Sequence, residues 1–192
     1  MTFLAEPEPT PEVEATYAND RAAYGFVMNL SHLWAHQPEA HTRLFDLLAL
    51  VGGDLSFRER GILVTAAAST IGDSYCSLAW GWKQSDAGNL DAVAGVLAGT
   101  DDGLTPREAA LATWARAVAG GAGRTTPEDV EALRDAGWSD DEIFRATVFV
   151  ALRVAFSTVN GALGARPDAE LAERAPAAVT DLVTWGRPVA GR

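Results

Sequence analysis

Reactive side chains are scarce in this chain: one cysteine, Cys76, one lysine, Lys83, and three histidines, His32, His36 and His41. A single thiol excludes an intrachain disulfide and a cysteine-rich metal site. What it can still do is attack a peroxide or a disulfide as the thiolate, or pack as a small apolar residue. Cys76 stands three residues after Asp73, in Asp73-Ser74-Tyr75-Cys76-Ser77-Leu78-Ala79-Trp80. If Asp73 caps a helix, Cys76 falls in the first turn, where unpaired N–H groups and the helix dipole lower a thiol pKa. An ionised Asp73 pushes the other way. The two effects are comparable, so the sequence leaves the state of the thiol open, and with it whether Asp73 caps a helix or faces a pocket.

Lys83 lies at i+7 from Cys76, on the same helix face and about 10 Å along the axis. That is too far to activate the thiol, but it suits an anionic substrate group at a pocket mouth. The plainer alternative is a solvated lysine. Trp80 and Trp82 flank Gly81 on the same helix and suggest an apolar pocket, or core packing. Arg153, inside the apolar run Val148 to Phe156, and Asn160 are buried-polar candidates of the kind that line a pocket, and Arg153 could equally pair with an acid such as Asp73. The histidines form no metal site by spacing, because His36 and His41 straddle a helix boundary with no acidic partner placed beside them. His36 is a candidate proton relay, against a capping or packing role. No cofactor is expected.

The elements that must position these residues are helical. Four hydroxyl residues are each followed three positions later by an acid: Ser56 with Glu59, Thr105 with Glu108, Thr126 with Asp129, and Ser139 with Glu142. Each pair predicts a helix start. Pro106 and Pro127 follow two of these caps at the first helical position, where a missing N–H costs nothing. Further helices are expected from Ala15 to His36 with a break near Gly25 or Asn29, from Pro38 to Gly52, from Asp73 to Gln84, and from Leu90 to Leu97. The helix opened by Ser139 runs to about Leu163. No stretch alternates as a strand would. The expected fold is an all-α bundle in a single domain, residues 15–166, after a disordered acidic, Pro-rich arm over 1–14 and before a loosely packed tail over 167–192.

Composition narrows the partners. A net charge of -11 without a basic cluster argues against nucleic acid or an anionic membrane surface. No charge-free stretch approaches the roughly 20 residues that span a bilayer. With no export signal at the N-terminus and a free thiol, a cytoplasmic location is expected.

Taken in order, Tyr24 to Leu30, Ala35 to Glu39 and Leu55 to Lys83 resemble the alkylhydroperoxidase D-like (AhpD-like) branch of the carboxymuconolactone decarboxylase superfamily. Thr126 to Ile143 resembles that family's segment linking its last two conserved helices, so the likeness spans residues 17–166. It implies an all-α fold and a homo-oligomer, trimer or hexamer, with active sites buried near the subunit contacts. Redox members carry C-x-x-C-x-x-x-H at a helix start and a glutamate about twelve residues earlier. In that register Asp73 stands at the first cysteine, Cys76 at the second and Trp80 at the histidine, while the glutamate position falls on Gly61. Glu59, two positions away, is already committed to the Ser56 cap.

A dithiol peroxidase needs a second cysteine to resolve the sulfenic acid, so this chain cannot complete that cycle alone. The leading expectation is a one-cysteine thiol oxidoreductase or peroxidase-like enzyme acting on a small molecule, with Cys76 and Asp73 catalytic, Trp80, Lys83 and Arg153 binding substrate, and an external thiol as reductant. The alternatives are a non-redox acid/base enzyme of decarboxylase, lyase or isomerase type, acting on a small carboxylate or lactone through Asp73, Lys83 or Arg153, and a non-catalytic ligand-binding relative.

Overall fold

The computed structural model describes residues 2–191. Among them are eleven helices and no strand: α1 Pro11–Tyr24, α2 Asn29–Trp34, α3 Pro38–Gly52, α4 Phe57–Thr70, α5 Ser74–Asp86, α6 Leu90–Ala98, α7 Pro106–Ala119, α8 Pro127–Asp135, α9 Asp140–Ala162, α10 Ala169–Arg174 and α11 Ala177–Thr180. All four predicted capping boxes form, with the hydroxyl and the acid each satisfying the other's backbone N–H. The break after α1 comes at Gly25, which adopts φ +83°, a left-handed conformation open to glycine at little cost.

The core forms around α4. Eight consecutive residues, Gly61 to Ala68, are buried, so this helix is enclosed on every side rather than amphipathic. It packs on α5, α6, α7 and α9. Small side chains at Ala66, Ala67 and Ala68 let neighbours approach closely, and Leu63, Val64, Leu111 and Val150 fill the interior. This arrangement holds the starts of α5 and the middle of α9 against each other, and it is there that Cys76 and Arg153 meet.

Both ends of the chain differ from expectation. α1 begins at Pro11, inside the segment expected to lack structure, because Thr10 accepts a hydrogen bond from Val13 N–H and Pro11 occupies the first turn. This is the Thr-Pro start also used by α7 and α8. The arm before it is tied down by Phe3 N–H to Leu163 C=O at 2.8 Å and by Glu6, which accepts from Tyr17 and pairs with His32. The expected loose tail packs on α5 and α6, with Leu171 and Val179 fully buried. Its anchor is Asp168, whose carboxylate accepts from the Tyr75 hydroxyl of α5 and from Asn29 N–H. Burial raises the pKa of that carboxyl, against the pull of these two donors.

Candidate functional site

Asp73 caps α5: its Oδ1 accepts from Cys76 N–H at 3.1 Å. Cys76 is therefore in the first turn, as the capping alternative requires, and it is buried in the main core. Its sulfur accepts from the Arg153 guanidinium of α9 at 3.3 Å and from the Ser157 hydroxyl, one turn further along α9, at 3.6 Å. Arg153 does not pair with Asp73; it faces the thiol.

Burial decides the resting state of that thiol. Desolvation, and after it the nearby Asp73 charge, push the Cys76 pKa up to about 12, and the opposing pull of Arg153 and Ser157 does not overcome them. Cys76 is a neutral thiol at neutral pH. Thiolate absorbance, measured as the difference from Cys76→Ser, is expected to be absent at neutral pH and to grow only as pH approaches about 12. A titration centred near the unperturbed value of about 8.5 would contradict this.

The thiol borders a cavity of about 160 Å³. Trp80, Lys83 and Arg153 line it with Cys76, so three predicted binding residues and the predicted nucleophile come together. Trp80 stacks on Phe57 at 5.6 Å and presents its ring 5.8 Å from the Arg153 guanidinium and 5.9 Å from Lys83 Nζ. Lys83 Nζ donates to the Tyr24 hydroxyl at 3.1 Å. Among the described residues neither Lys83 nor Arg153 forms a salt bridge. In a chain of charge -11 that is informative. The acid on this cavity wall, Asp20, accepts from Met28 N–H at 2.9 Å and so serves the backbone.

Asp73 touches Cys76 through the cap but does not line this cavity. It lines a second cavity, of about 310 Å³, with Ser157, Asn160 and Arg187. His36 is exposed and bonds the Ala5 carbonyl at 3.0 Å, away from the thiol. The histidine that does line the Cys76 cavity is His41. The sequence offered His41 only as a metal ligand, although the spacing of His41, Leu44 and Leu48 on α3 places the three on one helical stripe.

The space beside Gly61 is filled by packing. A Cβ at Gly61 would lie 2.2 Å from the Gln84 side chain. Gln84 is buried and held by bonds to Phe57 C=O and from Asn89. Glu59 is held in the Ser56 capping box.

No family model matches the sequence, and no curated protein does. Solved structures do. The alkylhydroperoxidase AhpD core of a peroxidase-related protein from Ralstonia eutropha JMP134 superposes with a TM-score of 0.77 at 21% identity, covering 88% of this chain and 94% of the other. The chain has the AhpD-like fold. A peroxidase-related protein from Silicibacter sp. TM1040 gives a TM-score of 0.75 at 21% identity over 88% and 93% of the two chains. On the AhpD-like scaffold this chain has one thiol at a helix start, with a guanidinium and aromatic rings around it.

Proposed function

We propose that this chain is a one-cysteine, peroxidase-like thiol oxidoreductase, with Cys76 as nucleophile and an external thiol as reductant. The observation that carries this reading is the Cys76 sulfur, which borders a cavity and accepts from Arg153 at 3.3 Å. A guanidinium at that distance gains most when the sulfur carries negative charge. It therefore stabilises the reacting thiolate more than the resting thiol, which is how a fixed charge accelerates a reaction. The aromatic walls of Trp80 and Phe156 suit the organic part of a small hydroperoxide.

In the oxidising step the sulfur forms a bond to the terminal oxygen of the hydroperoxide, the O–O bond breaks, and the alkoxide leaves with the electron pair. Cys76 becomes a sulfenic acid and the hydroperoxide an alcohol. One external thiol then forms a mixed disulfide and releases water, and a second restores Cys76 and leaves as a disulfide. A cytoplasmic setting, where reduced thiols are abundant, fits this cycle. Exposed Leu50 and Phe144 offer apolar surface for the trimer or hexamer that completes the proposal.

The non-redox acid/base reading works through Asp73, Lys83 or Arg153; Lys83 and Arg153 share the Cys76 cavity and Asp73 lines the neighbouring one. The test is thiol-dependent consumption of tert-butyl hydroperoxide by the parent, Cys76→Ser and Asp73→Asn. Cys76→Ser is expected to lose all turnover. Asp73→Asn keeps a good cap and removes a carboxylate that disfavours the thiolate, so its turnover is expected to rise by up to about tenfold. Turnover that survives in Cys76→Ser and disappears in Asp73→Asn would replace this reading with acid/base chemistry.

A further inference from the structure

A thiol with its pKa near 12 supplies almost no thiolate at neutral pH, so chemistry at Cys76 needs a proton acceptor. The register puts Trp80 where the resembling redox proteins hold a histidine, and His36 is exposed beside the N-terminal arm. The cavity itself offers another imidazole. His41 reaches it from α3, an element separate from the helices that carry Cys76 and Arg153. Its Nε2 is buried without a protein hydrogen-bond partner. The ring is held among Phe45 at 4.7 Å, Trp34 at 5.3 Å and Phe156 at 6.2 Å, so its plane is set by packing rather than by hydrogen bonding through Nε2.

We infer that His41 is the proton-transfer residue of the Cys76 cavity, taking the thiol proton as the sulfur attacks and returning it to the departing alkoxide. The oxidation rests on the function proposed above; the proton transfer is separable from it. The proton balance closes without another donor: the terminal oxygen keeps its own hydrogen in the sulfenic acid, and the thiol proton travels through His41 to the alcohol.

Burial of the ring supports a neutral base. Burial lowers the His41 pKa, opposed by the carboxylate of Asp20. The titratable or charged groups sharing the cavity are Asp20 and Tyr24 from α1, Tyr75, Cys76 and Lys83 from α5, and Arg153 from α9. Desolvation disfavours an imidazolium here, so the proton is passed on. A buried, unpartnered imidazole is also what a packing histidine looks like, and the two roles differ in what they do to the pH dependence.

The experiment follows alkylation of Cys76 by iodoacetamide against pH, a readout independent of peroxide. With His41 as base, the parent rate is expected to rise below the ordinary histidine range, where the buried imidazole loses its proton, and then stay level until thiolate forms on its own. His41→Gln is expected to lose that plateau, react about 100-fold more slowly at neutral pH, and regain rate only with rising hydroxide. His41→Ala is expected to recover when imidazole is added, which a purely structural loss would not do. A parent profile without a plateau, or variants that react like the parent, or no recovery with imidazole would overturn the inference. A plateau without hydroperoxide consumption would leave His41 as the base and remove the peroxidase reading.

Discussion

Arg153→Met is expected to lower hydroperoxide turnover by about 10- to 100-fold while leaving stability within about 1 kcal/mol of the parent. The loss follows from one bond. A hydrogen bond to a charged partner is worth about 1.5–3 kcal/mol, and each 1.4 kcal/mol is a factor of ten. The Arg153–Cys76 contact at 3.3 Å acquires that charge only as the thiolate develops, so the loss should fall on kcat/KM with the protein still folded. Stability is held by two opposed effects. Arg153 is buried without a carboxylate partner and its Nε has no hydrogen-bond partner, so a methionine, which replaces the apolar stem and drops the guanidinium, relieves an uncompensated charge. Against this, the variant gives up cation–π contacts with Phe156 at 5.0 Å and Trp80 at 5.8 Å, about 0.5–1 kcal/mol each. Peroxide kinetics and thermal unfolding on the same samples check both halves. A variant that melts several degrees lower but keeps its turnover would make Arg153 a packing residue.

Separating the chemistry from the fold in this way matches where each was written in the sequence. The helices could be read because their starts are local: a hydroxyl and an acid three residues apart need no tertiary information, and all four such boxes form. The same signal at Thr10-Pro11 was available but lacked an acid three positions on, and the Glu- and Pro-rich surroundings hid it. The tail was misjudged for a different reason. Leu171 and Val179 are isolated apolar residues in sequence, and only a groove on α5 and α6, with Gly81 open against Val179, gives them something to bury against.

At the site, Cys76, Trp80 and Lys83 share one helix, so their meeting could be read from spacing. Arg153 was legible as a polar residue in an apolar run, but its partner was not, because 77 residues separate it from Cys76. His41 was harder still. Its stripe on α3 marks an inward face, and nothing in that stripe says whether the face meets core or cavity. The balance on the thiol could not be settled locally either. Cap, dipole, Asp73 and Arg153 nearly cancel by inspection, and the enclosing core then decides the outcome through desolvation, which depends on the whole fold.

The second large effect is expected at Gly61. Gly61→Ala should destabilise the protein by about 3–5 kcal/mol: overpacking a filled core costs about 1–3, and displacing Gln84 breaks two hydrogen bonds of about 1 kcal/mol each. The contact is not with a yielding chain end, since the Gln84 amide that a Cβ would meet at 2.2 Å is buried and bonded through both its nitrogen and its oxygen. For a domain of this size the melting temperature should fall by about 6–20 °C. Gln84→Ala alone should also destabilise, leaving a gap and the Phe57 carbonyl without its donor. The two together should cost less than their sum by about 2 kcal/mol, because the added methyl then enters space the glutamine vacated. Additive losses would mean the two side chains do not compete for that volume. Coupling would show that position 61 admits no side chain while Gln84 holds its two bonds, so the absence of a Cβ there is a packing requirement of α4 against α5.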